Sequence, residues 1–373
     1  MKERNIAISS MFFMLGLCFG SWSSRIASVR DALSMSDSML GSVLFALTIG
    51  LLISLPVSGW AIARIGSRLV GVATIIMIAV LLALVPFITS IAQLVVVVFA
   101  FGFSYSAVNV SNNTQASIME RLSGETKLPF FHGLWGLAGF VGAGIGALTL
   151  GQGISMSQHF SLISTIAIVS AFACWRYLYN EPSLETAGNA FAIPDRSLLN
   201  YGLIAFFGMA CEAIMYDWST VYFHDVVAPD QRYVGLGFAM FMGAMTVGRL
   251  FILNKFVNRF GIKRTLQWSG ALTLAGFATA VAFPTLILSI IGFCLAGIGI
   301  SGVIPLVAGA AARSSNMAPS SAIASVLTIG FAGLIIFPPL IGFLSDTVGL
   351  RYAFLVGVVL ALGTIYGASK IPE

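Results

Sequence analysis

Two carboxylates, Glu212 and Asp217, lie inside an apolar run that begins near Leu198 and ends near Phe223, in the stretch Glu-Ala-Ile-Met-Tyr-Asp-Trp-Ser. About 20 apolar residues cross a bilayer, so the run reads as a spanning helix with Glu212 inside the hydrocarbon and Asp217 nearer its outer edge. An ionised group there costs about 2.5 to 3.5 kcal/mol on insertion scales, and it normally faces a water-filled cavity, a partner or a proton path. On an ideal helix Glu212, Tyr216 and Ser219 share a face, whereas Asp217 lies about 140° round from Glu212, so the two acids are expected to have different partners. Glu212 is the candidate for loading and releasing protons, and Asp217 for proton coupling or gating. The plainer reading is a single fixed ion pair holding helices together.

A second polar set lies in an earlier apolar run. Tyr105, Asn109, Asn112, Asn113 and Glu120 fall at helical spacings that put them largely on one face, which cannot point at lipid. Asparagine offers both donors and acceptors, which suits a hydroxyl- or amide-bearing solute. The competing use is bonding between helices, worth about 0.6 kcal/mol per contact. Arg249, Glu120 and His132 are candidates for an inner latch, with His132 also a candidate proton relay. Glu120 sits where its helix leaves the membrane and has solvation as an alternative; His132 beside glycines has a structural one. Trp22 and Trp218 are either interfacial belt residues or platforms for a sugar ring.

The elements that position these groups follow from composition. Of 373 residues 58% are hydrophobic and 9% charged, far from the profile of a soluble domain and indicative of an all-α polytopic membrane protein. The net charge of +5 resides in short loops between apolar runs, where it sets topology rather than binding nucleic acid. The cysteines (Cys18, Cys174, Cys211, Cys294) all fall in apolar segments without paired spacing, so neither a disulfide framework nor a metal site is implied, and no cofactor motif is visible. Twelve apolar runs are expected, centred in 6–30, 40–63, 68–89, 93–118, 129–150, 157–178, 198–223, 233–255, 265–284, 286–311, 320–344 and 352–369. Placing the N-terminus in the cytoplasm puts most of the 19 Lys and Arg on the inner side, from Lys2 and Arg4 through Arg64, Arg68, Lys263, Arg264 and Arg313 to Lys370. Both termini are then cytoplasmic. The polar stretch 179–196 reads as a cytoplasmic linker between an N-terminal six-helix bundle (1–178) and a C-terminal one (197–373).

The two bundles repeat one another at a shift of about 195 positions. Trp22-Ser23-Ser24 matches Trp218-Ser219-Thr220, and Arg64-x-Gly66-x-Arg68 matches Arg259-x-Gly261-x-Lys263. Gly102-Phe103 aligns with Gly292-Phe293, and Gly136 and Gly139 with Gly330 and Gly333. Copies that start from the same side are parallel repeats, with a site expected between them near mid-depth. Glycines 133, 136, 139, 142, 144 and 146 predict close helix approach, and Pro338-Pro339 predicts a bend.

The segment Gly59-Trp-Ala-Ile-Ala-Arg-Ile-Gly-Ser-Arg68 resembles the loop signature of the major facilitator superfamily, except that Ala63 stands at the usual aspartate. Phe19-Gly-Ser-Trp-Ser-Ser-Arg-Ile26, Phe131-His-Gly-Leu-Trp-Gly-Leu-Ala-Gly139 and Glu212-x4-Asp-Trp-Ser219 are similar to the bacterial YbjJ and rhizopine-transporter (MosC) branch, akin to fucose permeases. The resemblance implies the major facilitator fold, small polar or sugar-like solutes, and first and seventh helices that line a central cavity. Arg25 then pairs with Asp217 as an outer gate or meets a ligand carboxylate. Asn112-x-x-Gln115-Ala116 replaces the superfamily's Arg-x-x-Gln-Gly, which argues against a proton path through that arginine. The expected function is secondary active transport of a sugar- or polyol-like solute across the bacterial inner membrane by alternating access, coupled to protons, in a monomer surrounded by lipid. An exporter of metabolites or drugs and a transport-dead solute sensor are the alternatives; enzymatic chemistry is not expected.

Overall fold

A computed structural model describes residues 2–180, 198–314 and 319–371, and the expected linker lies almost entirely outside them. Among the described residues, eleven helical stretches are long and apolar enough to cross a membrane. One of them, Gln231–Ala282, has 52 residues, about 78 Å at 1.5 Å per residue, and a bilayer core of about 30 Å cannot hold it as one crossing. It is broken at Gly261 (φ 74°, ψ 173°). Twelve spans result: α1 (Lys2–Ser24), α2 (Asp37–Ile65), α3 (Ser67–Phe87), α4 (Ile91–Ser123), α5 (Leu128–Gly151), α6 (Met156–Tyr177), α7 (Leu199–Val227), α8 (231–260), α9 (262–282), α10 (Leu286–Arg313), α11 (Ser321–Val348) and α12 (Leu350–Ser369).

Local chemistry sets several boundaries. Ser90 caps α4 by accepting from the backbone N–H of Gln93, and Gly124 closes it in a left-handed conformation (φ 70°). Ser155 and Gln158 form a reciprocal capping box at the start of α6. The first apolar run, expected to continue to residue 30, is interrupted at Arg25, after which Ile26–Ala32 forms a short separate helix. Span α10 is likewise interrupted, at Ser301 and Gly302.

Contacts group the chain into two compact units, Met1–Ser34 with Val43–Ala187, and Met35–Ser42 with Gly188–Glu373. In the first unit the most extensive helix pair is α1 with α5; in the second it is α7 with α11, the same pair one repeat later. Both are glycine-mediated. A Cβ on Gly20 would strike the Gly139 carbonyl, and one on Gly142 would come within 2.5 Å of the Leu17 carbonyl. One on Gly333 would lie 2.6 Å from the Phe206 carbonyl. Gly66 (φ 84°, ψ 152°) and Gly261 have nearly the same backbone, so the turn after the second span is copied after the eighth. At the fourth and tenth spans the register differs from the sequence reading. Gly102 meets the Leu47 carbonyl of α2, and Gly297 meets the Phe241 carbonyl of α8, whereas Gly292 packs on Gly276 of α9. The counterpart of Gly102 is therefore Gly297, at a shift of 195, within one position of the other matches.

Candidate functional site

In the second unit, α7 and α8 bring Glu212, Tyr216 and Arg249 together. Tyr216 sits one turn beyond Glu212 and donates its hydroxyl to Glu212 Oε1 at 3.1 Å. Arg249 Nη2 stands 3.7 Å from the same oxygen, a loose, single-point ion pair with side-chain exposures of 25% for Arg249 and 14% for Glu212. Residues Gly248–Ile252 form one π-helical turn, a widening that frequently marks functional sites. The Arg249 in that turn also donates through Nε to the Ser301 carbonyl at 3.3 Å, at the break in α10. Met245 Sδ lies 3.6 Å from the Tyr216 hydroxyl and 3.8 Å from Arg249 Nη2. The acid on α7 is thus linked through one guanidinium to a helix irregularity in α8 and another in α10. Ser301 and Met245 did not stand out in the sequence; the signal that could have found Ser301 is Pro305 four residues on, which has no N–H to give the Ser301 carbonyl, whereas a thioether carries none.

Asp217 is half-buried and forms no hydrogen bond or ion pair among the described residues. The two acids of α7 therefore have different surroundings, as their 140° separation requires. Trp218 is fully buried.

The polar stripe of α4 in the first unit is partly self-bonded, with Asn113 Nδ2 donating to Asn109 Oδ1 at 3.4 Å. Asn112 is buried, and its Nδ2 has no acceptor among the described residues, nor has Asn113 Oδ1 a donor. Tyr105 packs its ring against Phe19 of α1. Trp22 is buried against Phe101. His132 meets the Phe12 ring edge-on at 5.3 Å. Glu120 Oε1 accepts from the backbone N–H groups of Lys127 and Leu128, at 2.5 and 2.8 Å, and so caps the start of α5.

Arg25 is buried and finds its partners inside its own unit. Nη2 donates to Thr149 Oγ1 at 2.9 Å and to the Ile154 carbonyl at 3.0 Å, and Nε to His159 Nδ1 at 3.4 Å. Because His159 Nδ1 accepts, the ring proton is placed on Nε2, which has no partner among the described residues. The cation joins the end of α1 to the α5–α6 connection. A second residue of this kind is Gln115, whose amide brackets the Tyr179 backbone: Nε2 donates to its carbonyl at 2.9 Å and Oε1 accepts from its N–H at 2.8 Å, while Nε2 also meets Ser67 Oγ. Sequence reasoning missed one further node. Asp346 near the end of α11 accepts from the N–H groups of Asp37 and Ser38 at 3.2 and 3.1 Å, capping the first turn of α2, which groups with the second unit.

With this arrangement in place, the class is defined: the fold is that of major facilitator transporters. Residues 201–369 match the Major Facilitator Superfamily profile. An uncharacterized MFS-type transporter of Yersinia pestis is 29% identical over 352 residues, 94% of this chain and 91% of the relative. Membrane protein MosC of Rhizobium meliloti is 26% identical over 370 residues, 96% and 89% of the two chains. The crystal structure of a mutant of the nucleoside transporter NupG superposes with a TM-score of 0.79 at 14% identity, covering 98% of each chain. A bacterial homologue of the human lysosomal transporter Spinster, inward-facing and unoccupied, gives 0.71 at 14% identity, covering 98% and 97%. The Yersinia relative and both solved structures are transporters rather than enzymes, and the resemblance to the superfamily and to MosC stands.

Proposed function

We propose that the chain is a secondary active transporter that moves a small, polar, sugar- or polyol-like solute across the bacterial inner membrane by alternating access, with Glu212 as the proton-coupling group. The observation that carries the coupling is the Glu212–Arg249 contact. At 3.7 Å and through one oxygen it is too loose to be a locked pair, and both side chains retain some solvent contact. When Glu212 takes up a proton its attraction for Arg249 falls away, and the guanidinium keeps its bond to the Ser301 carbonyl. Protonation on α7 is in this way felt at the π-turn of α8 and the break of α10. The unsatisfied amide atoms of Asn112 and Asn113 supply the solute-facing donor and acceptor in the first unit. Asp217, which has no hydrogen bond or ion pair among the described residues, is the second acid available to solute or proton.

Proteoliposomes with an imposed pH gradient test this, using substrates first found by thermal-shift screening of sugars, polyols and amino sugars. The Glu212→Gln variant is expected to retain ligand-induced stabilisation and lose gradient-driven accumulation. Accumulation at wild-type levels by that variant removes Glu212 from the coupling.

A further inference from the structure

A cavity of ≈ 610 Å³ opens in the second unit, away from the Glu212 cluster, where the α8–α9 turn, the end of α10 and the start of α7 converge. Its wall carries three cations, Lys263, Arg264 and Arg313, and among the described residues no acid lines it. The remaining wall is largely apolar, with Phe260, Ile371 and the phenol-bearing Tyr201. Two backbone features bring the charges together. The positive φ of Gly261 turns the chain so that Lys263 and Arg264 begin α9 beside the cavity, and the Arg313 guanidinium lies back along α10 over Gly309. Trp268, one turn after Arg264, is 56% exposed, the placement of an interfacial aromatic anchor.

We propose that this cavity binds the phosphate headgroup of an anionic phospholipid, with its acyl chains on the apolar wall. Topology alone requires basic residues on the cytoplasmic side, but it does not require three of them to converge on one concavity. Like charges gathered with no acid among the described lining residues repel one another, and an anion in their midst removes that cost. Basic pockets between helix ends on the cytoplasmic side suit such headgroups, and the apolar wall selects a lipid over a free phosphate, which has nothing to place there. The site concerns only the second unit and holds whatever solute is carried.

The test uses the full chain in detergent micelles, titrated with dioleoyl-phosphatidylglycerol, dioleoyl-phosphatidylcholine or inorganic phosphate while thermal unfolding is followed. Phosphatidylglycerol is expected to raise the midpoint saturably, and the other two to leave it unchanged. Each of Lys263→Gln, Arg264→Gln and Arg313→Gln should raise the half-saturating concentration about fivefold, from ~1 kcal/mol per basic residue near an anionic membrane surface. The triple variant should raise it about 100-fold by the same reckoning. Equal responses of wild type and triple variant, equal stabilisation by phosphatidylcholine, or stabilisation by inorganic phosphate as large as by the lipid each overturn the proposal. If the triple variant does not fold, the wild type decides: raising NaCl from about 0.1 to about 1 M shortens the Debye length from ~10 to ~3 Å and must weaken the phosphatidylglycerol response, and a salt-insensitive response refutes the site.

Discussion

The Glu212–Arg249 pair makes an asymmetric prediction, because only one of its members can discharge itself. A guanidinium is not deprotonated in a protein, whereas a carboxylate can accept a proton. Replacing Glu212 by Gln leaves the Arg249 charge with two neutral partners, the Ser301 carbonyl and the Met245 sulfur. Replacing Arg249 by Gln leaves Glu212 with the Tyr216 hydroxyl and the option of protonation. At 3.7 Å the direct attraction is about 4.5 kcal/mol for an effective dielectric of about 20. Desolvation and the partial solvent contact of both groups offset most of it, so a double-mutant cycle is expected to return a coupling of about 1 to 2 kcal/mol.

The assay is thermal unfolding of wild type, Glu212→Gln, Arg249→Gln and the double variant in one detergent, at two pH values. For a unit of this size one kcal/mol moves the midpoint about 2 to 4 °C, so the coupling is worth ~2 to 8 °C. At pH 7 Glu212→Gln should be the more damaging single change, and adding Arg249→Gln should restore part of the loss. On lowering the pH, Arg249→Gln should approach wild type: wild type loses the ion pair as Glu212 protonates, while the variant sheds its stranded charge. The Glu212→Gln midpoint carries no such titration at this site. Strict additivity of the two changes, or Arg249→Gln as the worse variant at pH 7, would refute the claim that these groups form one electrostatic unit.

Two further predictions concern packing and the buried cation. Gly20→Ala places a methyl against the Gly139 backbone carbonyl and is expected to cost about 1 to 3 kcal/mol in thermal unfolding, whereas Gly144→Ala, which meets nothing within 4 Å, should be neutral or stabilising by up to ~1 kcal/mol. Equal effects of the two would show that the α1–α5 approach is not tight. Arg25→Lys retains the charge but loses the planar fork that reaches Thr149, Ile154 and His159 at once, and should lower stability by about 2 kcal/mol. Weakened solute binding at unchanged stability would instead assign Arg25 to the ligand.

The sequence shows the architecture and the Glu212 cluster to different degrees, for physical reasons. Twelve spans and a repeated turn are legible because hydropathy and glycine requirements act locally: an apolar stretch of 52 residues is too long to cross once, and a φ of 74° at Gly261 needs glycine wherever the repeat falls. Helical spacing also foretells that Glu212 and Tyr216 share a face and that Asp217 does not. The partner of a long side chain is a different matter, since it depends on how neighbouring helices are rotated. Arg25 finds a threonine, a carbonyl and a histidine across the connection from α5 to α6, none of which is marked by charge in the sequence. The misaligned glycine makes the same point: Gly292 and Gly297 both lie in an apolar helix, and only the carbonyl each one meets, Gly276 or Phe241, distinguishes the copy of Gly102 from its neighbour.

Those partner choices matter for mechanism because they decide which irregularities are coupled to charge. The π-turn around Arg249 and the break at Ser301 each leave backbone groups without their usual helical partner, a cost a spanning helix normally avoids. One guanidinium is tied to both: its own position is set by the turn, and its Nε satisfies the carbonyl that Pro305 cannot bond. Removing the Arg249 side chain therefore withdraws one hydrogen bond from the break in α10 as well as a countercharge from α7. Arg249→Lys separates these contributions, for it retains the countercharge while a single ammonium cannot hold the same bridge between Glu212 and the Ser301 carbonyl.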